Sequence, residues 1–96
     1  MLKTEELVNK IIEALEDNKA HQIIKIDLRQ IENCFCSFFV ICHGTSGTHI
    51  AGLTDAVEEK VKKELGDSPF HAEGLNTSRW TVLDYGMLSY IFLIKN

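Results

Sequence analysis

The sequence predicts an α/β fold, a single mixed β-sheet of about five strands packed with two helices. Two segments place apolar residues at helical spacing, at Leu7, Val8, Ile11, Ile12 and Leu15 and again at Ile50, Leu53, Val57, Val61 and Leu65. Short apolar segments between and after them read as strands, giving the order α-β-β-α-β-β-β. The 96 residues, 45% hydrophobic and 25% charged, have the composition of a globular chain and suffice for one domain spanning 1–96 with one modest core.

Each element has a local reason. Thr4 is a plausible N-cap, with Glu5 and Glu6 in the first turn where the helix dipole favours acids, and Asp17-Asn18 ends this helix. In the strand Ile23 to Leu28, Ile24, Ile26 and Leu28 share one face, with Lys25 and Asp27 on the other. Phe35 to Cys42 is nearly continuous apolar sequence, which predicts a central strand covered on both sides. Ser46 can cap the second helix, Glu58, Glu59, Lys62 and Lys63 form its polar face, and Gly66 suits the C′ position.

Ser68-Pro69 begins a short strand running from Phe70 to Glu73, where proline points to an edge or a strand start. Trp80 to Leu83 and Leu88 to Ile94 form a β-hairpin around Asp84-Tyr85-Gly86-Met87.

Composition narrows the function. The net charge of −4 disfavours broad contact with nucleic-acid phosphate and permits a basic protein partner. No apolar run approaches the roughly 20 residues of a membrane helix, and the start lacks a signal-peptide core. The three cysteines, Cys34, Cys36 and Cys42, are an odd number beside an apolar run, which fits a reducing compartment. The chain therefore reads as cytosolic or organellar.

Three groups of residues could carry chemistry. His43-Gly44-Thr45-Ser46-Gly47 resembles a phosphate cradle before a helix, and nucleotidyltransferases use a similar Gly-Ser turn. They also need paired carboxylates for magnesium, and no Asp-x-Asp or Asp-x-Glu follows here. The turn-and-cap reading is preferred. The cysteine spacing does not match C-x2-C zinc pairs, so no metal or cofactor is expected. Cys42 and His43 are neighbours on a strand and point to opposite faces, which places them poorly as a nucleophile pair. His49, in the first helical turn, is expected neutral, hydrogen-bonding or facing a partner.

Trp80, Leu83, Asp84 and Tyr85 form the third group. A lone tryptophan is ordinarily a core residue, but an outward Trp80, sharing a face with Val82, would be a large apolar anchor. A tyrosine in a hairpin turn is hard to bury, which favours an exposed Tyr85.

Several motifs taken together resemble the ribosomal silencing factor family, also called Iojap-like. They are Phe38-Phe39-Val40-Ile41-Cys42-His43-Gly44-Thr45-Ser46, His49, Glu73-Gly74-Leu75, Trp80-Thr81-Val82-Leu83-Asp84-Tyr85-Gly86 and Ile91-Phe92. The family usually has Asp at the position of Ser37, often Arg at Thr48, a further Asp after Asp-Tyr-Gly, His at Tyr90, and an acidic segment beyond the last strand.

The resemblance implies a nucleotidyltransferase-related fold without that activity. It also implies binding to the large ribosomal subunit through large-subunit ribosomal protein fourteen, hindering subunit joining. On that basis the chain is expected to be a non-enzymatic translational repressor, with Trp80, Leu83, Asp84 and Tyr85 as the contact surface and His49 on its rim. A nucleotide-binding enzyme and a homodimeric module are the alternatives. A dimer is expected to pair through the apolar Leu88 to Ile94 strand.

Overall fold

Helix α1 (Leu2–Asp17) buries Leu7, Val8, Ile11, Ala14 and Leu15 along one stripe. In this computed structural model, which describes residues 2–31, 37–69, 71–74, 79–86 and 89–95, the remaining elements follow in the expected order. They are β1 (His21–Asp27), β2 (Phe38–Gly44), α2 (Gly47–Leu65), β3 (His71–Glu73), β4 (Trp80–Asp84) and β5 (Ser89–Lys95). Because α1 already includes Leu2, Thr4 lies inside the helix and is not its N-cap. Phe35, Phe70 and Leu88, used above to bound strands, and Met87 of the hairpin turn lie outside the described residues, as do Cys34 and Cys36.

The five strands form one sheet in the order β1-β2-β5-β4-β3. β2 and β5 run parallel, and every other neighbouring pair is antiparallel. The parallel pair needs a long crossover, and α2 lies within it. The proline-led strand β3 does lie on an edge. β5 does not: it sits between β2 and β4, hydrogen-bonded on both sides, so it offers no free edge to a second copy.

The core lies between the sheet and the two helices. From α2 come Ile50, Leu53, Val57 and Val61; from the sheet come Phe38, Val40, Cys42, Leu83, Ile91 and Leu93. These sheet residues alternate along their strands, so they occupy one face. α2 is capped as its sequence indicates. Ser46 Oγ accepts the His49 N–H at 3.0 Å, and Gly66, at φ 70°, donates its N–H to the Lys62 carbonyl at 3.0 Å.

Both helices contribute to one core on one side of the sheet, which corrects the expectation that β2 is covered on both faces. With both helices packed on the same face, the second apolar row of β2 is left half-buried at Phe39 and Ile41. The strand β1 departs from simple alternation as well. A bulge between His21 and Ile24, with Gln22 at φ 51°, resets its register, and Leu28 is buried just beyond the strand end.

Candidate partner-docking face

The face of the sheet turned away from the helices is largely apolar from β1 to β4. Register sets its composition. Ile24 and Ile26 of β1 pair with Ile41 and Phe39 of β2, which pair in turn with Phe92 and Tyr90 of β5. Phe92 pairs with Val82 of β4, and Ile94 pairs with Trp80. Ile24, Ile26, Trp80 and Ile94 are the sheet's exposed large apolar residues, with Trp80 41% exposed.

Three aromatic rings tie the centre of this face together. Phe39 meets Phe92 edge-on at 5.4 Å between centroids and Tyr90 at 6.3 Å, and Tyr90 stacks on Phe92 at 6.4 Å. The arrangement makes a contiguous apolar platform. An apolar surface of this kind on a small protein marks an interaction site more often than chance exposure.

One corner of the platform is polar. His71 and Glu73 of β3 pair with Asp84 and Val82 of β4. His71 Nε2 lies 3.1 Å from Glu73 Oε1, and both side chains are largely exposed. Asp84 Oδ1 accepts the Gly86 N–H at 2.6 Å, which holds the tight turn after β4.

The structure separates the residues expected at the contact surface. Trp80 is outward, on the same face as Val82, and Asp84 follows it at the platform's corner. Leu83 is fully buried against the helices, because alternation along β4 puts it opposite Trp80. Tyr85 is also buried, at 3% exposure. It continues the inward phase of Thr81 and Leu83 before Gly86, at φ 71°, turns the chain. Burial raises the Tyr85 phenol's pKa above its ordinary value, with smaller contributions from Glu58 and Asp67. Leu83 and Tyr85 therefore belong to the core and not to the accessible surface.

His49 is a clamp at the start of α2. Its Nδ1 accepts the Thr45 N–H at 2.9 Å, and its Nε2 lies 2.9 Å from the Asn18 carbonyl at the end of α1. The neutral tautomer with hydrogen on Nε2 satisfies both bonds. The ring also meets His21 edge-on at 6.3 Å.

This geometry bears on the Gly44-Thr45-Ser46 turn. The Thr45 N–H is taken by His49, the His49 N–H by Ser46 Oγ, and the Ile50 N–H by the Ser46 carbonyl. A phosphate would compete with these bonds. A Cβ at Gly44 would lie 2.9 Å from Ile50 Cδ1, so a side chain there would push the end of the Ile50 side chain aside.

Cys42 is buried on the helix side, and burial pushes its thiol up to about 12. His43, on the opposite face, has a buried Nδ1 without a hydrogen-bond partner. The two side chains do not meet as a nucleophile pair.

The outward aromatic row Phe39, Tyr90 and Phe92 was missed as a site in the sequence. The signal was present: two strands apolar on both faces, but only two helices to cover them.

Comparison with known proteins decides the family. Residues 2–92 match the family described as "Ribosomal silencing factor during starvation". The chain belongs to the ribosomal silencing factor family. It is 29% identical over 85 residues to the ribosomal silencing factor RsfS of Halalkalibacterium halodurans, covering 88% of this chain and 71% of that protein. It is also 29% identical over 85 residues to the RsfS of Chromobacterium violaceum, covering 88% of this chain and 68% of the relative.

The fold agrees. A crystal structure of a protein from C. violaceum superposes with a TM-score of 0.85 at 25% identity, covering 95% of this chain and 73% of that one. One from Bacillus halodurans superposes at 0.81 with 27% identity, covering 95% of this chain and 82% of the other. Two helices on a five-stranded mixed sheet are thus shared with ribosomal silencing factor folds. No described helix of this member is long and apolar enough to cross a membrane.

Proposed function

We propose that this chain represses translation by docking its open sheet face on the large ribosomal subunit, through large-subunit ribosomal protein fourteen, and blocking subunit joining by steric occlusion. The observation that carries this reading is the apolar platform from Ile24 across Phe39 and Phe92 to Trp80, on a chain whose family is named for ribosomal silencing. A buried aromatic anchor in a well-packed contact supplies most of the energy of a protein interface, and Trp80 is such an anchor presented in advance. The acidic corner at Glu73 and Asp84 suits a basic ribosomal protein, steering the encounter more than tightening it.

On this reading the chain is a binding module and not an enzyme, working in the cytoplasm, or in an organelle if the source is a eukaryote. The Thr45 and His49 N–H groups, already donated to His49 Nδ1 and Ser46 Oγ, support that choice over nucleotide binding. Neither a membrane nor direct nucleic-acid contact enters it. A weak homodimer is compatible with the same face, since β5 has no free edge and the platform is the large apolar surface that a second copy would cover.

A subunit-joining assay tests the function. Purified large subunits incubated with the protein before small subunits are added should form fewer joined ribosomes, in proportion to the protein added. Undiminished joining at saturating protein would refute the reading.

A further inference from the structure

We propose that Gly74 is the positioning residue for the Trp80 anchor, so that the residue just past the edge strand serves the docking face. This rests on the reading of the open face as the partner surface.

The geometry is specific. Gly74 has φ 79°, in the left-handed region that favours glycine. A Cβ built there would lie 2.5 Å from Trp80 Cε3, 2.6 Å from Cζ3 and 2.5 Å from the Trp80 carbonyl oxygen. The indole therefore rests directly on the bare α-carbon of Gly74. A rotating ring could escape the first two contacts, but the carbonyl belongs to the backbone of β4 and cannot move without shifting the strand. Any side chain at 74 must displace Trp80 from its seat.

The chain holds a built-in comparison. Gly66 has nearly the same backbone angle, φ 70°, but a Cβ there would meet nothing within 4 Å. Substitution at 66 costs backbone strain alone; substitution at 74 costs strain and the position of the indole. Asparagine tolerates the left-handed region better than alanine but still carries a Cβ, so it separates the two effects.

Trp80 is the chain's single tryptophan, so its fluorescence reports its own seat. Gly74→Ala, Gly74→Asn and Gly66→Ala would be compared by far-ultraviolet circular dichroism, tryptophan emission, acrylamide quenching and co-sedimentation with purified large subunits. For folded Gly74→Ala and Gly74→Asn, emission should move to longer wavelength, quenching should rise, and subunit binding should weaken by roughly tenfold or more. Gly66→Ala should lower the melting temperature but keep wild-type emission and binding.

Wild-type emission and binding in folded Gly74 variants would overturn the proposal. So would the unfolding of both, which would make Gly74 a determinant of the fold and not of the indole's pose. If the wild type itself fails to bind subunits, the docking reading fails, and the emission and quenching shifts alone decide whether Gly74 seats Trp80.

Discussion

Trp80 and Leu83, three residues apart on one strand, stand on opposite faces of the sheet: Trp80 is 41% exposed on the open face, and Leu83 is fully buried against the helices. Equal truncations should therefore have opposite consequences. Leu83→Ala should destabilise the fold by about 2–5 kcal/mol through the cavity it leaves. Trp80→Ala should stay folded with a small change in melting temperature. Thermal unfolding of the two variants checks this, and comparable losses of stability would contradict the assignment of faces.

Tyr85 carries a buried hydroxyl with no hydrogen-bond partner. Deleting only that oxygen removes an unsatisfied polar group, whereas deleting the ring opens a cavity. Tyr85→Phe should melt at or above the wild-type temperature, and Tyr85→Ala should lose about 3–5 kcal/mol. A marked loss of stability in Tyr85→Phe would mean that the phenol is satisfied in solution.

The sheet order and the outward face of this region were only partly legible in the sequence. Helical spacing in α1 and α2, the Ser46 cap, the Gly66 stop and the hairpin around Asp84 are local patterns, and local physics produces them. The position of β5 between β2 and β4 is a long-range pairing that no local pattern encodes. The phase of Trp80, Val82 and Asp84 against Thr81 and Leu83 followed from period two, but which phase faced the helices depended on where α2 packed. The position of Tyr85 in a hairpin turn points outward, but the residue keeps the sheet's alternation and is buried.

His49 links three places: the end of α1, the turn before α2 and the α2 N-terminus. His49→Ala removes both side-chain hydrogen bonds and should cost about 1–3 kcal/mol, counting roughly 0.5–1.5 for each. Subunit binding per folded molecule should be unchanged, because both ring nitrogens are used within the chain. Chemical denaturation and co-sedimentation of the same variant check both halves.

Acid should act at Asp27. Its side-chain and backbone hydrogen bonds from Arg29 hold the carboxyl down to about 2. A folded-state value below the unfolded one contributes stability above the ordinary carboxylate range, near 4, and loses it as pH falls toward 2. Glu64, lowered by Lys10 and Lys60, acts in the same direction, whereas Glu58, raised by burial and then by Asp55, acts in the opposite one. The melting-temperature difference between wild type and Arg29→Met should be steady above about pH 5 and shrink on acidification toward pH 2. A difference that stays constant to pH 2 would remove the Asp27–Arg29 pair from the account.

The most direct test of the central claim is co-sedimentation of Trp80→Ala with purified large subunits, beside wild type and a Glu16→Ala variant on the exposed helix side. The account predicts that Trp80→Ala, folded and melting near the wild-type temperature, loses about 2 kcal/mol or more of binding, roughly thirtyfold, while Glu16→Ala pellets as wild type does. Folded Trp80→Ala that pellets with wild-type affinity would contradict it and place the ribosome contact away from the open sheet face.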